Sequence, residues 1–145
     1  MEYKLSIPEG YQKIKVPDLN TWLTALRSGN YMQGFRRLCS VVDGVKHYCC
    51  LGVRLETQGK LLFREGDERG WDANDSICRS VSAFCTDNPD FKIFDGLGRF
   101  ADKVSVSFVD KEGDDNWANA LYVLNDSEMP FTDIADIIET LYEEA

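Results

Sequence analysis

The sequence predicts an α+β domain: helices packed on one face of a small, mostly antiparallel sheet that contains an N-terminal hairpin. Three observations predict it. Apolar residues recur at helical spacing in separate segments, notably Leu19/Trp22/Leu23/Leu26 and Ile134/Ile137/Ile138/Leu141. Other segments alternate with period two, and two β-rich runs flank Asp43-Gly44, a strong hairpin signal. The two patterns follow no regular strand-helix-strand rhythm, which separates the chain from parallel α/β folds. With 145 residues, 43% of them apolar, residues 1–145 are expected to form a single domain that buries roughly 70% of its unfolded surface.

The first helix is expected after Pro17, with Asp18 or Asn20 as its cap and the Leu19/Trp22/Leu23/Leu26 stripe facing the core. Gly29 supplies a left-handed stop, and Tyr31 to Gly34 reads as a loop. From Phe35 to Cys50 the pattern is extended. A two-residue turn at Asp43-Gly44 sets Val42 opposite Val45, Ser40 opposite His47 and Leu38 opposite Cys49. The other face then carries Val41/Lys46, Cys39/Tyr48 and Arg37/Cys50. Cys50 to Gln58 reads as a short helix closed by Gly59, and Lys60 to Arg64 as a strand.

Glu65 to Asn74 is polar and reads as a loop, followed by a helix from Asp75 carrying Ile77, Val81 and Phe84. Asp87 to Asp102 has little periodicity. Val104 to Val109 alternates as a half-buried strand, Asp110 to Asn116 forms an acidic turn, and Trp117, Leu121 and Leu124 share a helical stripe capped by Asp114 or Asp115. Asn125-Asp126 interrupts that stripe before a last helix beginning near Thr132. No internal repeat or low-complexity tract is present.

Charge is distributed unevenly. The net charge of −9 opposes direct binding to duplex DNA, which needs surplus cations to displace counterions. Residues 1–54 nevertheless hold eight Lys+Arg against four Asp+Glu, and residues 55–145 hold eight against twenty-one, giving +4 and −13. One face could therefore attract an anion while another repels it. The five cysteines, an odd number without a secreted spacing, fit a reducing cytoplasm. No run of 18 apolar residues occurs and the first residues do not resemble a signal peptide, so a cytoplasmic protein without membrane partners is expected.

Residue types that carry chemistry are present in arrangements that do not favour catalysis. Cys49 and Cys50, adjacent on an expected strand, would point to opposite faces and could not jointly grip a tetrahedral metal. His47 and Cys49 could share a face, and Cys78 and Cys85 a helix side, but no metal-binding spacing joins them. Cysteines are among the most buried residue types, so a packing role is expected and neither metal nor cofactor is assigned. A cysteine nucleophile would depend on His47, the single histidine. The acidic pairs Asp114-Asp115, Asp133/Asp136 and Glu143-Glu144 sit at turns and helix ends, where carboxylates cap. Gly96-x-Gly98 lacks the third glycine of a phosphate loop.

What remains is a basic and aromatic constellation in the first third: Arg27, Tyr31, Gln33, Arg36, Arg37, Lys46, His47 and Tyr48. Guanidinium forks match phosphate and tyrosine rings stack on bases, so a nucleotide-like small molecule is the expected ligand. Arg27, Tyr31, Arg36 and Arg37 are the primary candidates, His47 and Tyr48 the secondary ones. Strand alternation would put Arg37 on the Tyr48 side and Arg36 on the other. The competing reading is an ordinary solvated hairpin.

Trp22-Leu23-x-Ala25-Leu26-Arg27-Ser28-Gly29-x-Tyr31-x-Gln33, Cys49-Cys50-Leu51-Gly52-Val53, and Leu124-Asn125-Asp126 with Phe131 and Ile134 to Glu139 resemble a family of small tailed-bacteriophage proteins. Compared with the commoner members, this chain carries an insertion around Cys78 to Asp95. The resemblance implies a phage accessory gene rather than a virion part and carries no catalytic residues. Together these readings predict a non-catalytic accessory protein that neutralises a host or defence component by sequestering a nucleotide signal, free of cofactors and acting as a homo-oligomer. The alternatives are an acidic inhibitor that docks on a host protein or mimics nucleic acid, and a small metal- or cysteine-dependent enzyme.

Overall fold

The computed structural model describes residues 1–60, 62–63, 69–71, 85, 89–97 and 103–145. Its α+β architecture combines four α-helices with mostly antiparallel strands, divided among three sheets in the described residues. The first sheet joins β1 (Tyr3–Ser6), β8 (Ser105–Val109) and β9 (Asp115–Ala118), antiparallel, with β8 in the middle. The second is a parallel pair of β2 (Ile14–Val16) and β10 (Tyr142–Glu144). The third has the order β3 (Met32–Gln33), β5 (Val45–Tyr48), β4 (Cys39–Val42), β7 (Arg69–Trp71), β6 (Leu62–Phe63).

The helices lie between these sheets in sequence and pack on one another: α1 (Leu19–Arg27) against α2 (Cys50–Thr57) and α4 (Phe131–Leu141), with α3 (Leu121–Asp126) against α2 and α4. The α1 stripe is buried as its spacing demands, at Leu19, Trp22, Leu23 and Leu26, and so is the α4 stripe at Ile134, Ile137, Ile138 and Leu141. Trp22 meets Phe94 edge-on at 5.3 Å, and Phe94 meets Phe91 and Tyr142 at 5.8 and 5.6 Å. This aromatic chain joins α1 to the 3-10 turn at Lys92–Phe94 and to the start of β10.

The hairpin has the expected register, Val42↔Val45 through Cys39↔Tyr48. Asp43 and Gly44 both have positive φ, 51° and 76°, the geometry of a tight turn matched to strand twist. The extended pairing is shorter than expected, because α2 begins at Cys50 and residues 35–38 form a bend.

Other elements depart from expectation for identifiable reasons. Tyr31 to Gly34 is not wholly loop: Met32 and Gln33 pair in parallel with His47 and Tyr48, a two-residue element too short for any periodicity. Arg69–Trp71, expected within a loop, is strand β7. Asp18 occupies the α1 N-cap but makes no side-chain cap, its backbone being left-handed at φ 59° instead of extended. Trp117 belongs to β9 rather than a helix, since the acidic turn closes a β8–β9 hairpin and its spacing to Leu121 straddles two elements. Neither Asp114 nor Asp115 therefore caps α3, which starts after Ala120. The expected helix from Asp75, with Ile77, Cys78, Val81 and Phe84, lies outside the described residues, as does Gly98. Among the described residues no helix is long and apolar enough to cross a membrane.

Candidate functional site

A polar hub at the centre of the helices accounts for the most distinctive residues of the chain. Asn125, on the last turn of α3, is 0% exposed. Its Oδ1 accepts from Gln33 Nε2 at 3.1 Å and from the Cys50 backbone N–H at 3.2 Å, while its Nδ2 donates to the Gly34 carbonyl at 2.9 Å. Gln33 Nε2 also donates to the Met129 carbonyl at 2.8 Å. Asp126 accepts from the Arg36 backbone N–H at 2.7 Å. Trp22 Nε1 donates to the Cys50 carbonyl at 2.9 Å.

The Cys49-Cys50-Leu51-Gly52 segment serves the same junction. Cys49 is the N-cap of α2, its Sγ accepting from the Gly52 N–H at 3.3 Å. A Cβ on Gly52 would stand 1.8 Å from the Leu38 carbonyl oxygen, so only glycine lets α2 approach the hairpin. Trp22, Gln33, Cys49, Gly52, Asn125 and Asp126 are thus occupied in holding α1, α2, α3 and the hairpin together. Gln33 is committed to the hub rather than to a ligand.

The expected opposite-face arrangement of Cys49 and Cys50 does not arise, because these residues cap and open α2 instead of continuing the strand. Cys39, Cys49, Cys50 and Cys85 are free and buried. Burial pushes the thiols of Cys39, Cys49 and Cys85 up to about 12 and that of Cys50 well above its ordinary value. Such thiols are poor nucleophiles at neutral pH. No cluster of three or more His, Cys, Asp or Glu side chains able to hold a metal is found among the described residues.

The six predicted ligand-binding residues divide into three groups. Tyr31 and Tyr48 come together, ring edge to ring face at 5.3 Å, with Tyr48 buried and Tyr31 half-buried. Burial raises the Tyr48 phenol above its ordinary value. His47 lies beside them on β5, paired in register with Met32, and its Nδ1 is 3.0 Å from the Val45 carbonyl. Arg36 and Arg37 are exposed on the bend that enters β4, and neither makes an ion pair among the described residues. Since both lie in a bend, with Arg36 at φ 67°, the expected alternation of these two side chains about a strand does not apply. Arg27 is engaged elsewhere: its Nη2 donates to Asp136 at 2.8 Å and Glu139 at 2.5 Å, tying the end of α1 to α4. Those two hydrogen bonds raise its pKa.

Sequence reasoning missed Arg54. It sits mid-helix in α2, yet is 3% exposed. Its guanidinium carbon lies 5.3, 5.6 and 6.0 Å from the ring centroids of Trp22, Phe94 and Phe91. Nε and Nη1 are buried without a hydrogen-bond partner among the described residues, as is Oε1 of Gln58, one turn later. Burial lowers the Arg54 pKa, against the opposing pull of Asp18, Glu144 and Asp90. Each unsatisfied buried polar group costs about 1–3 kcal/mol. Arg54 borders a cleft of about 280 Å³ between α2, the β2–α1 junction and the 3-10 turn. The only sequence signal was an arginine embedded in the apolar run Cys50 to Leu55.

No curated protein and no solved structure matches the chain. A family model described as a domain of unknown function (DUF8296) matches residues 12–142. That span contains the hub, the hairpin and the Arg54 cleft, so the features that organise the site lie inside the region the family defines, and the chain belongs to the DUF8296 family.

Proposed function

We propose that the chain is a non-catalytic phage accessory protein, acting in the host cytoplasm, that neutralises a host or defence component by capturing a phosphate-bearing, nucleotide-like ligand on its hairpin face. Arg36 carries this reading. Its left-handed backbone, φ 67°, is pinned through its N–H to Asp126, and a non-glycine residue in that region costs about 1–2 kcal/mol. Strain maintained by a specific contact is a recognised mark of binding sites. Here it presents two exposed arginines, Arg36 and Arg37, on the bend between β3 and β4, the strands that flank β5 and its Tyr48. Guanidinium forks suit phosphate, and the aromatic edge suits a base or sugar. Arg27, whose guanidinium is engaged by Asp136 and Glu139, is not part of this face.

A second observation favours the protein-docking alternative. Trp117 is 68% exposed on β9, beside the acidic turn that carries Asp110, Glu112, Asp114 and Asp115. An exposed tryptophan rimmed by carboxylates is the composition of a docking hot spot for a basic protein.

Incubating the purified protein with cyclic and linear nucleotides, and separately with host lysate, tests both readings by mass spectrometry of what co-purifies. Retention of a nucleotide that is lost in Arg36→Ala supports the hairpin reading. Retention of a host protein that is lost in Trp117→Ala, with no nucleotide bound, replaces it.

A further inference from the structure

The Arg54 cleft shares no residue with the hairpin face. Three cationic side chains line it, Arg54, Lys15 and Lys60, together with two carboxylates, Asp18 and Asp90. Lys60 and Asp90 are 4.0 Å apart. Gln58 adds a neutral polar group, and the other described lining residues, Phe94 and Ile93 among them, are apolar. Arg54 is held in place by three aromatic rings, so its position is set before any ligand arrives.

Two residues that line this cleft carry buried side-chain atoms with no hydrogen-bond partner among the described residues, donors on Arg54 and an acceptor on Gln58. Gln58 is the C-cap of α2, four residues after Arg54, which puts the two on one side of the helix end. They do not satisfy each other. A buried orphan in a folded protein calls for an ion, a water or a ligand, and an orphan donor beside an orphan acceptor calls for a group with both capacities. A bare polyanion would be opposed by Asp18 and Asp90, whereas an anion bearing an O–H or N–H would find acceptors there too. The cleft volume, about 280 Å³, falls just under the usual range for drug-sized ligands.

We propose that this cleft binds a small phosphate-type oxyanion that carries its own hydrogen-bond donor, received between Arg54 and Gln58 with Lys15 and Lys60 alongside. Hydrogen phosphate and a small phosphate monoester have this chemistry, whereas sulfate has the charge but no donor.

Calorimetric titration of the full chain with inorganic phosphate, sulfate and ribose 5-phosphate tests it. Saturable one-to-one binding of phosphate or the monoester is expected, with sulfate weaker by about fivefold or more, the value of one hydrogen bond. Arg54→Met keeps the length of the stem and removes every donor; it is expected to weaken binding at least about tenfold, the worth of a charge-assisted bond. Gln58→Met is expected to abolish the preference for phosphate over sulfate. If Arg54→Met does not fold, the exposed pair Lys15→Ala/Lys60→Ala decides, with affinity expected to fall about threefold or more. Absence of saturable binding by all three probes, or unchanged affinity in Arg54→Met or, where that variant does not fold, in the lysine pair, overturns the proposal. Equal affinity for sulfate and phosphate overturns the role of Gln58.

Discussion

The hub around Asn125 and the hairpin face, neighbours through Gln33 and Arg36, use polar residues in opposite ways. In the hub the polar side chains join separate elements of the fold: Asn125 alone reaches Gln33, Gly34 and Cys50. On the hairpin face Arg36 and Arg37 are exposed and make no ion pair among the described residues. The difference separates two meanings of a distinctive residue. Trp22, Gly52 and Asn125 are distinctive because packing leaves no substitute, and they identify the fold. The hairpin arginines have no packing duty, and any role they have is toward a partner.

The comparison breaks most visibly at Gly52. A Cβ there would meet backbone, the Leu38 carbonyl, at 1.8 Å, and no side-chain rotation can relieve it. Gly52→Ala is expected to cost at least about 3 kcal/mol, the upper end for overpacking, or to prevent folding. Urea denaturation measures it, and a loss under 1 kcal/mol would mean that α2 and the hairpin are not rigidly joined. Asn125→Ala comes next. It strands the Gly34 carbonyl and the Cys50 N–H in a dry interior, for an expected loss of about 2–4 kcal/mol.

The buried thiols extend the comparison to pH. Burial raises the Cys49 thiol to about 12 from an ordinary 9.0, so between those values the unfolded chain has lost a proton that the folded chain retains. Stability is therefore unaffected near neutrality and falls as pH rises above about 9, by up to about 1.4 kcal/mol per pH unit for each such thiol. Denaturation midpoints at pH 8 and pH 10.5 check the sign. A midpoint unchanged between them would mean that the thiols are not sheltered as their burial implies.

What could be read from the sequence follows the same division. Helices α1 and α4 and the Asp43-Gly44 hairpin were legible because each is specified locally, by period 3.6 or by a turn that only certain residues make. Strands β1, β2 and β10 left no trace in the pattern: each has three or four residues and exists because a distant segment pairs with it, as Tyr142 does with Ile14. Trp117 was misplaced because residue spacing cannot tell a helix from a strand followed by a helix. The charge asymmetry marks out the first third as cationic, but Arg27 could not be distinguished from Arg36 there. Its carboxylate partners, Asp136 and Glu139, lie more than a hundred residues away. Arg54 was missed for the converse reason, since burial of a charged residue is a tertiary fact.

Arginine substitutions give the smallest effects on stability and the sharpest test of the division. Arg27→Ala breaks two partly exposed ion pairs, and surface pairs contribute about 0.2–1 kcal/mol, so a small but measurable loss is expected. Arg36→Ala and Arg37→Ala remove exposed side chains while preserving the Arg36 N–H bond to Asp126, and should change stability by less than about 0.5 kcal/mol. Affinity for a phosphate-bearing ligand should show the reverse order. Losing a charge-assisted contact of about 1.5–3 kcal/mol weakens binding roughly 10- to 150-fold, an effect expected at Arg36 or Arg37 and not at Arg27, whose guanidinium is already engaged. Calorimetry on the three variants, with the nucleotide retained on purification, reads both quantities on one set of proteins. If Arg27→Ala weakened binding as much as the other two, α4 would have to release it when ligand arrives. If none of the three weakened binding, the hairpin face would be the solvated surface that its composition also allows, and the acidic turn beside Trp117 would take its place as the recognition surface.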